Sequence, residues 1–256
     1  MERIAIISDL HGSFLATKEV IENIKSRGIN RIFCLGDLIA KGPCPNETID
    51  LIKENCEIII KGNCDDLIVN RCKTKEHFWN RDNITKENLK FLDNLPLYFD
   101  FYMSGLKIRL IHASPDTIYK SIEYYKIDEK LENKIDRLFE NSDFLQNVGA
   151  KEPDIVIFGH IHSPFVYRNG KNKIAINSGS VSNGCDIIKK NSKNYVLSSY
   201  LILEGEYNSK ESGEFGFEIV KIPYDYEKEI ELLKKSEMPN KDMAIREFET
   251  GVYIKR

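Results

Sequence analysis

Apolar residues follow two rhythms along this chain, and the first sixty-odd positions switch between them. "RIAIIS" (3–8), "RIFCLG" (31–36) and "EIIIKG" (57–62) are short, β-branched and almost continuously apolar, each closed by polar residues or glycine. That pattern predicts strands buried on both faces. "SFLATKEVIENIKSRG" (13–28) instead spaces Leu15, Ala16, Val20 and Ile24 at helical intervals, with Ser13 as a cap, Lys25 and Arg27 in the last turn and Gly28 to end it. "PNETIDLIKEN" (45–55) reads as a second helix with Asn46 as its cap. Strand, helix, strand, helix, strand implies parallel pairing through right-handed crossovers.

After residue 95 the alternation stops. "LYFDFYM", "LKIRLIHA" and "DIVIFGH" read as strands, "FVYRNGKNKIAINSGS" as a hairpin around Asn169-Gly170, and "YVLSSYLILEG" with "EFGFEIVKIPYD" as another. Successive strands without helices predict a second sheet packed on the first. Residues 119–151 are polar and charged, with Leu131, Ile135 and Leu138 at helical spacing, and predict a helical insertion on the surface or a cap. From 224 to 256 the chain reads as an amphipathic helix, "DYEKEIELLKKSE", and a tail. "KEHFWNRDN" places His77 beside Phe78 and the only tryptophan. It reads as a loop anchored on the core, with a place over the functional centre as the alternative. The whole, 1–256, is expected to be one domain.

Composition narrows the function classes. A net charge of -3 over 256 residues exerts no general pull on nucleic acid or anionic lipid. The opening apolar run is too short for a signal peptide, and no segment reaches about 18 apolar residues, so a cytoplasmic protein without membrane contact is expected. Cysteines at 34, 44, 56, 64, 72 and 185 form no C-x-x-C pair, which argues for separate reduced thiols rather than a zinc knuckle or a disulfide framework.

The strand ends carry the chemistry. The first gives "SDLHG" (Asp9, His11), the second "LGDLIAKG" (Asp37), the third "KGNCD" (Asn63), a later one "LIHASP" (His112), and another "FGHIHS" (His160, His162). Ligands of open α/β sheets bind beyond the carboxyl ends of the strands, so these ends can converge. If the segments stay extended, residues two apart point the same way, pairing Asp9 with His11 and His160 with His162. Imidazole, carboxylate and amide oxygen together suit Mn, Fe, Zn or Ni. Seven such donors exceed the needs of one ion but match two divalent metal ions about 3.5–4 Å apart with a shared carboxylate.

In this order, D-x-H, GD, GN, H and GH-x-H resemble the signature of the calcineurin-like metallophosphoesterases, from residue 4 to about 182, and "NSGSVS" is similar to the family's Asn-Pro-Gly-Ser turn. "GDLIAKGPCPNE" and the Pro223-Tyr224-Asp225 before the terminal helix most resemble the stand-alone bacterial and archaeal phosphoesterases, relatives of which often carry "GNCD". The resemblance implies an α/β fold, a four-layer αββα sandwich. It implies Asp9, His11 and His162 on one metal, Asn63, His112 and His160 on the other, and Asp37 as the bridge. In the protein phosphatase branch the residue after the motif asparagine is a histidine, the leaving-group acid, oriented by an aspartate, and an arginine follows that aspartate. Here those positions hold Cys64, Ala40 and Lys41. Cysteine is a poor acid, and two nearby cations would draw it toward thiolate. General-acid help is worth about 10²–10⁴-fold, most for basic leaving groups. The expectation is therefore hydrolysis, by attack of metal-bound hydroxide, of a small nucleotide-type phosphodiester or dinucleoside polyphosphate. The alternatives are a general phosphomonoesterase or protein phosphatase, a nuclease (which would want a basic groove), and a non-catalytic scaffold on the same fold.

Overall fold

Strands β1 (Glu2–Ile7), β2 (Arg31–Cys34) and β3 (Ile58–Ile59) pair in parallel, as their apolar runs require. The hairpin of β11 (Leu197–Gly205) and β12 (Gly216–Pro223) adds antiparallel to β1, giving the order β12-β11-β1-β2-β3. A second five-stranded sheet, β4-β5-β6-β8-β7, contains β4 (Tyr98–Met103), β5 (Leu106–Ile111), β6 (Ile155–Phe158), β7 (Phe165–Arg168) and β8 (Ile174–Asn177). Its inner pairs β5/β6 and β6/β8 are parallel and its outer pairs antiparallel. A small antiparallel ladder joins β9 (Ile188–Lys190) to β10 (Lys193–Tyr195). The computed structural model describes residues 1–120, 135–145, 149, 151–184, 188–190 and 193–250.

The alternation of side chains along β1 sets the layers. Ile4 and Ile6 enter a core between the sheets, with Phe33, Leu35, Leu201 and Leu203 from one and Met103, Leu110, Ile157 and Ile176 from the other. Phe33 meets Phe99 and Phe101 edge-on there, with ring centroids 5.8 and 5.7 Å away. Ala5 and Ile7 point the opposite way, onto a helical layer. That layer holds α1 (Phe14–Ser26), α2 (Pro45–Asn55), α3 (Asn63–Asn70), α4 (Lys75–Asn83), α5 (Lys86–Asp93), α6 (Tyr226–Lys235) and α7 (Lys241–Thr250). Val20, Ile49, Ile68, Leu92, Leu233 and Phe248 bring its apolar faces inward.

On the far face of the second sheet, Ile135, Leu138, Phe139 and Leu145 bury against Ile111, Val156, Phe158 and Ala175. Each such side chain is worth about 1.5–3 kcal/mol of transfer free energy. Arg109, fully buried, ties this cover down: it grips Asp100 at 2.8 and 2.9 Å and Asn141 Oδ1 at 3.0 Å. The described part of the 119–151 segment is thus the fourth layer of an αββα sandwich. Leu131 lies outside the described residues.

Several expectations need correction. The third strand shrinks to two residues, because Lys61 and Gly62 already turn into α3. The cap of α2 is Cys44, with Pro45 in the first turn; Asn46 instead donates to the Asn83 carbonyl and accepts from Thr85 N–H. "KEHFWNRDN" is helix α4, capped by Thr74, whose hydroxyl accepts the His77 N–H. The C-terminal tail forms a second helix, α7. Both long hairpins form as read. Five of the cysteines are free thiols; Cys185 lies outside the described residues. Among the described residues no helix is long and apolar enough to cross a membrane.

Candidate metal centre

Each of the seven donors lies just beyond a parallel strand. Asp9 and His11 follow β1, Asp37 follows β2, and Asn63 opens α3 after β3. From the other sheet His112 follows β5 directly, and His160 and His162 follow β6. Asp9, His11, Asp37, His112 and His162 are at most 5 % exposed, so polar groups collect where a core would otherwise continue.

The local backbone differs from the extended form that the i, i+2 argument assumed. Asp9, His11, Asp37, His160 and His162 all have positive φ, between 53° and 66°. The strands therefore end in tight left-handed corners, and the pairs converge by turning rather than by running straight. Asp and His tolerate this region better than most residues, but each still costs of order 1 kcal/mol or more. Hydrogen bonds hold the corners: Leu10 and His11 N–H both donate to the Asp37 carbonyl at 2.9 Å, and Gly12 N–H to that of Leu38 at 2.7 Å.

Asp65 fixes the corner at Asp37. Its carboxylate accepts the N–H groups of Asp37, Leu38 and Gly62, each at 2.9 Å. Burial, reinforced by the charge of Asp37, pushes its pKa up to about 7. Sequence reasoning passed over this residue, although an acid three positions after the glycine that opens a helix is a recognisable capping signal. Gly62 allows the close approach; a Cβ there would lie 2.2 Å from Asp37 N and Oδ1.

The donors form two groups. His11 Nε2 and His162 Nε2 are 2.9 Å apart, with Asp9 Oδ1 at 3.8 and 3.4 Å from them. Asp9 Oδ2 accepts the His160 N–H at 2.8 Å, whereas Oδ1, fully buried, accepts no hydrogen bond. In the second group Asn63 Oδ1 stands 3.0 Å from His112 Nε2 and 2.7 Å from His160 Nδ1, and Asp37 Oδ1 is 3.5 Å from His112 Nε2. His112 Nδ1 donates to the Leu35 carbonyl at 2.8 Å, which aims Nε2 at two oxygens, Asn63 Oδ1 and Asp37 Oδ1. Oxygens gathered on a ring nitrogen inside a protein call for a cation there, either a proton on Nε2 or a metal ion in its place. An imidazole whose other nitrogen donates to a carbonyl is also the usual arrangement of a metal-binding histidine.

Asp9, His11 and His162 could hold one ion, and Asp37, His112 and His160 another; Asp37 also groups with His11 and Cys64 and so touches both sides. The donor set, with a buried Asp9 oxygen that faces two imidazoles and accepts no hydrogen bond among the described residues, fits divalent cations. Electrostatics agree. Burial works against ionising Asp9 and Asp37, but the surrounding histidines overturn it and hold both carboxyls below the usual range. Burial also disfavours charge on His112, yet Asp37 and Asp9 carry its pKa up to about 9, so the same negative field that draws a second proton to Nε2 would draw a metal ion in its place. Burial and then His112 bring His160 down to about 4, and burial with Lys41 lowers His11 well below its ordinary value.

The other candidates divide. Cys64 donates its N–H to Asp37 Oδ1 at 2.7 Å, and burial, with Asp37, pushes the pKa of its thiol well up. The carbonyl of Ala40 is held by Asn80 at 3.1 Å. Lys41, 8 % exposed, packs its ammonium 3.8 Å from Glu247 of α7. His77 belongs to none of the donor groups; its Nδ1 accepts the Lys73 N–H at 3.3 Å. The "NSGSVS" turn buttresses the centre: Ser180 and Ser182 hydroxyls reach the Asp9 carbonyl at 2.8 and 3.1 Å.

Relatives share both the sequence and the shape. An uncharacterized protein of Methanocaldococcus jannaschii, MJ0912, is 32% identical over 248 residues, covering 92% of this chain and 93% of that protein. The metallophosphoesterase of Sphaerobacter thermophilus superposes with a TM-score of 0.71 at 19% identity, covering 98% of this chain and 99% of its own. The hypothetical protein PH1004 of Pyrococcus horikoshii OT3 gives 0.65 at 17% identity, covering 99% and 100%. Residues 2–201, which carry every donor named above, match the calcineurin-like phosphoesterase superfamily domain, and the chain belongs to that family of metal-dependent phosphoester hydrolases.

Proposed function

We propose that this enzyme hydrolyses small phosphodiesters or phosphoanhydrides of the nucleotide type, dinucleoside polyphosphates among them, with two divalent ions (Mn, Fe, Zn or Ni). Asp9, His11 and His162 would hold one, Asn63, His112 and His160 the other, and Asp37 both. The observation that carries this reading is the pair of donor groups joined at Asp37, with a buried Asp9 oxygen that accepts no hydrogen bond. Two such ions lower the pKa of water, orient the phosphoryl group and offset charge on both sides of an in-line displacement.

The chain's own residues set the rest. The Leu35 carbonyl keeps the His112 proton on Nδ1 and its lone pair inward. Lys41 supplies a buried cation for a non-bridging phosphoryl oxygen. Cys64 stands where the protein phosphatases carry their histidine acid, and a thiol is a weak acid for a departing oxygen. This favours substrates whose leaving groups depart as stable anions over phosphomonoesters of simple alcohols.

The test is a manganese-supplemented panel of bis-p-nitrophenyl phosphate, diadenosine polyphosphates, p-nitrophenyl phosphate and phosphoserine, with Asp37→Asn as blank. The anhydride or diester should exceed phosphoserine in kcat/KM by at least about tenfold, a modest share of what a general acid supplies. Asp37→Asn should bind less metal and lose all but about 1% of the rate, as expected when a metal-bridging group goes. A preference for phosphoserine would remove the leaving-group argument, and full activity in the blank would trace the turnover to a contaminant.

A further inference from the structure

Helix α7 lies outside the residues that match the family domain, yet it delivers a carboxylate to the edge of the centre. Glu247 is 3 % exposed, and its Oε2 lies 3.8 Å from Lys41 Nζ and 3.1 Å from Asn183 Nδ2. Both contacts lead to the donor loops. Lys41 N–H donates to the His11 carbonyl at 3.0 Å. Asn183 Oδ1 accepts the Ser182 hydroxyl at 2.8 Å, and Ser182 N–H reaches the Asp9 carbonyl at 3.3 Å. One carboxylate oxygen thus joins the loop of His11 to the turn that supports Asp9.

A buried ion pair is a weak source of stability, because removing two charges from water costs about as much as their attraction returns. Its value lies in where it puts the charge. An ammonium on four methylenes has several rotamers, and it serves a phosphoryl group only when held in one. We propose that Glu247 is a positioning residue: it holds the Lys41 ammonium toward the substrate's phosphoryl oxygens and makes α7 a working part of the site. The proposal rests on the phosphoesterase reading above and adds a residue that acts through Lys41 without touching substrate.

The test uses the full chain, the best substrate of the panel above, and inorganic phosphate as competitive inhibitor. Glu247→Gln keeps the shape and removes the charge; Glu247→Asp keeps the charge and shortens the reach. Glu247→Gln should raise KM and the phosphate inhibition constant about tenfold with kcat within threefold, since losing a charge-assisted contact costs about that much. Glu247→Asp should recover most of the loss. The reverse order, Gln harmless and Asp damaging, would assign Glu247 to packing alone and overturn the proposal.

Should Glu247→Gln not fold, Lys41→Met is compared with Lys41→Met/Glu247→Gln, which leaves no ammonium unpaired and keeps an amide oxygen to accept from Asn183 Nδ2. A residue acting only through Lys41 adds nothing once Lys41 is gone, so the two variants should share one KM; a further rise in the double variant overturns the proposal. Wild-type protein inactive on the whole panel would instead overturn the phosphoesterase reading, a result distinct from an active wild type that ignores Glu247→Gln.

Discussion

Replacing Glu229 by glutamine should flatten the dependence of stability on pH. This residue of α6 is fully buried beside the start of α1, where the Leu15 and Ala16 N–H groups face its carboxylate. Burial, only partly offset by those two N–H groups, raises its pKa from 4.5 to about 7. The folded chain therefore keeps a proton that the unfolded chain releases, so this contribution is full below pH 4.5 and is lost as pH climbs through 7. At about 1.36 kcal/mol per pH unit, the loss between pH 5 and 8 amounts to about 2.5 kcal/mol. Glu229→Gln carries no charge at either pH, so relative to wild type it should gain that amount over the interval. Urea titrations at pH 5, 6, 7 and 8, followed by the fluorescence of Trp79 at fixed ionic strength with chelator present, measure both proteins. Parallel curves within about 0.5 kcal/mol would mean that the start of α1 stabilises the ionised carboxylate after all, refuting the burial argument.

Other outcomes follow from the centre. Cys64→Ser should leave hydrolysis of bis-p-nitrophenyl phosphate within about threefold of wild type, since no proton transfer depends on the thiol; a loss nearing the 10²-fold of a general acid would return Cys64 to that role. Gly159→Ala places a methyl 2.0 Å from Ser8 Oγ and 2.6 Å from Asp9 Oδ2 and should lower stability by about 1–3 kcal/mol, read as an earlier thermal midpoint. Removing metal with dipicolinate should also lower the midpoint, in proportion to the metal lost, because the ions bind only the folded chain; an unchanged midpoint on complete removal would speak against tight ions at these donors.

The five strand ends were legible because each pairs an apolar run with Asp, Asn or His, and a parallel sheet leaves those ends no other place to go. The hairpins announced themselves through Asn169-Gly170 and alternating residues. What escaped notice lacked that contrast. Helix α4 is strongly polar and half-exposed, so its three-residue spacing carries little hydrophobic signal, and His77 gained weight from its neighbours rather than its position. Asp65 and Glu247 act through contacts 27 and 206 residues away, to Leu38 and Lys41, which no local window displays. The left-handed corners at Asp9, His11, Asp37, His160 and His162 could not be read from residue types that ordinarily favour φ below zero; the network between the strand ends imposes them.

Because the two sheets divide the donors, the order of synthesis matters. A ribosome releases the acids and His11 early, while the His160 amide that binds Asp9 lies 151 residues further along. A nascent chain therefore carries its first donors without the imidazoles that complete a chelate, and stray cations find no finished trap until His162 has emerged. Only closure of the sandwich brings the donors of both sheets together, so a metal that needs them all would bind the folded chain alone.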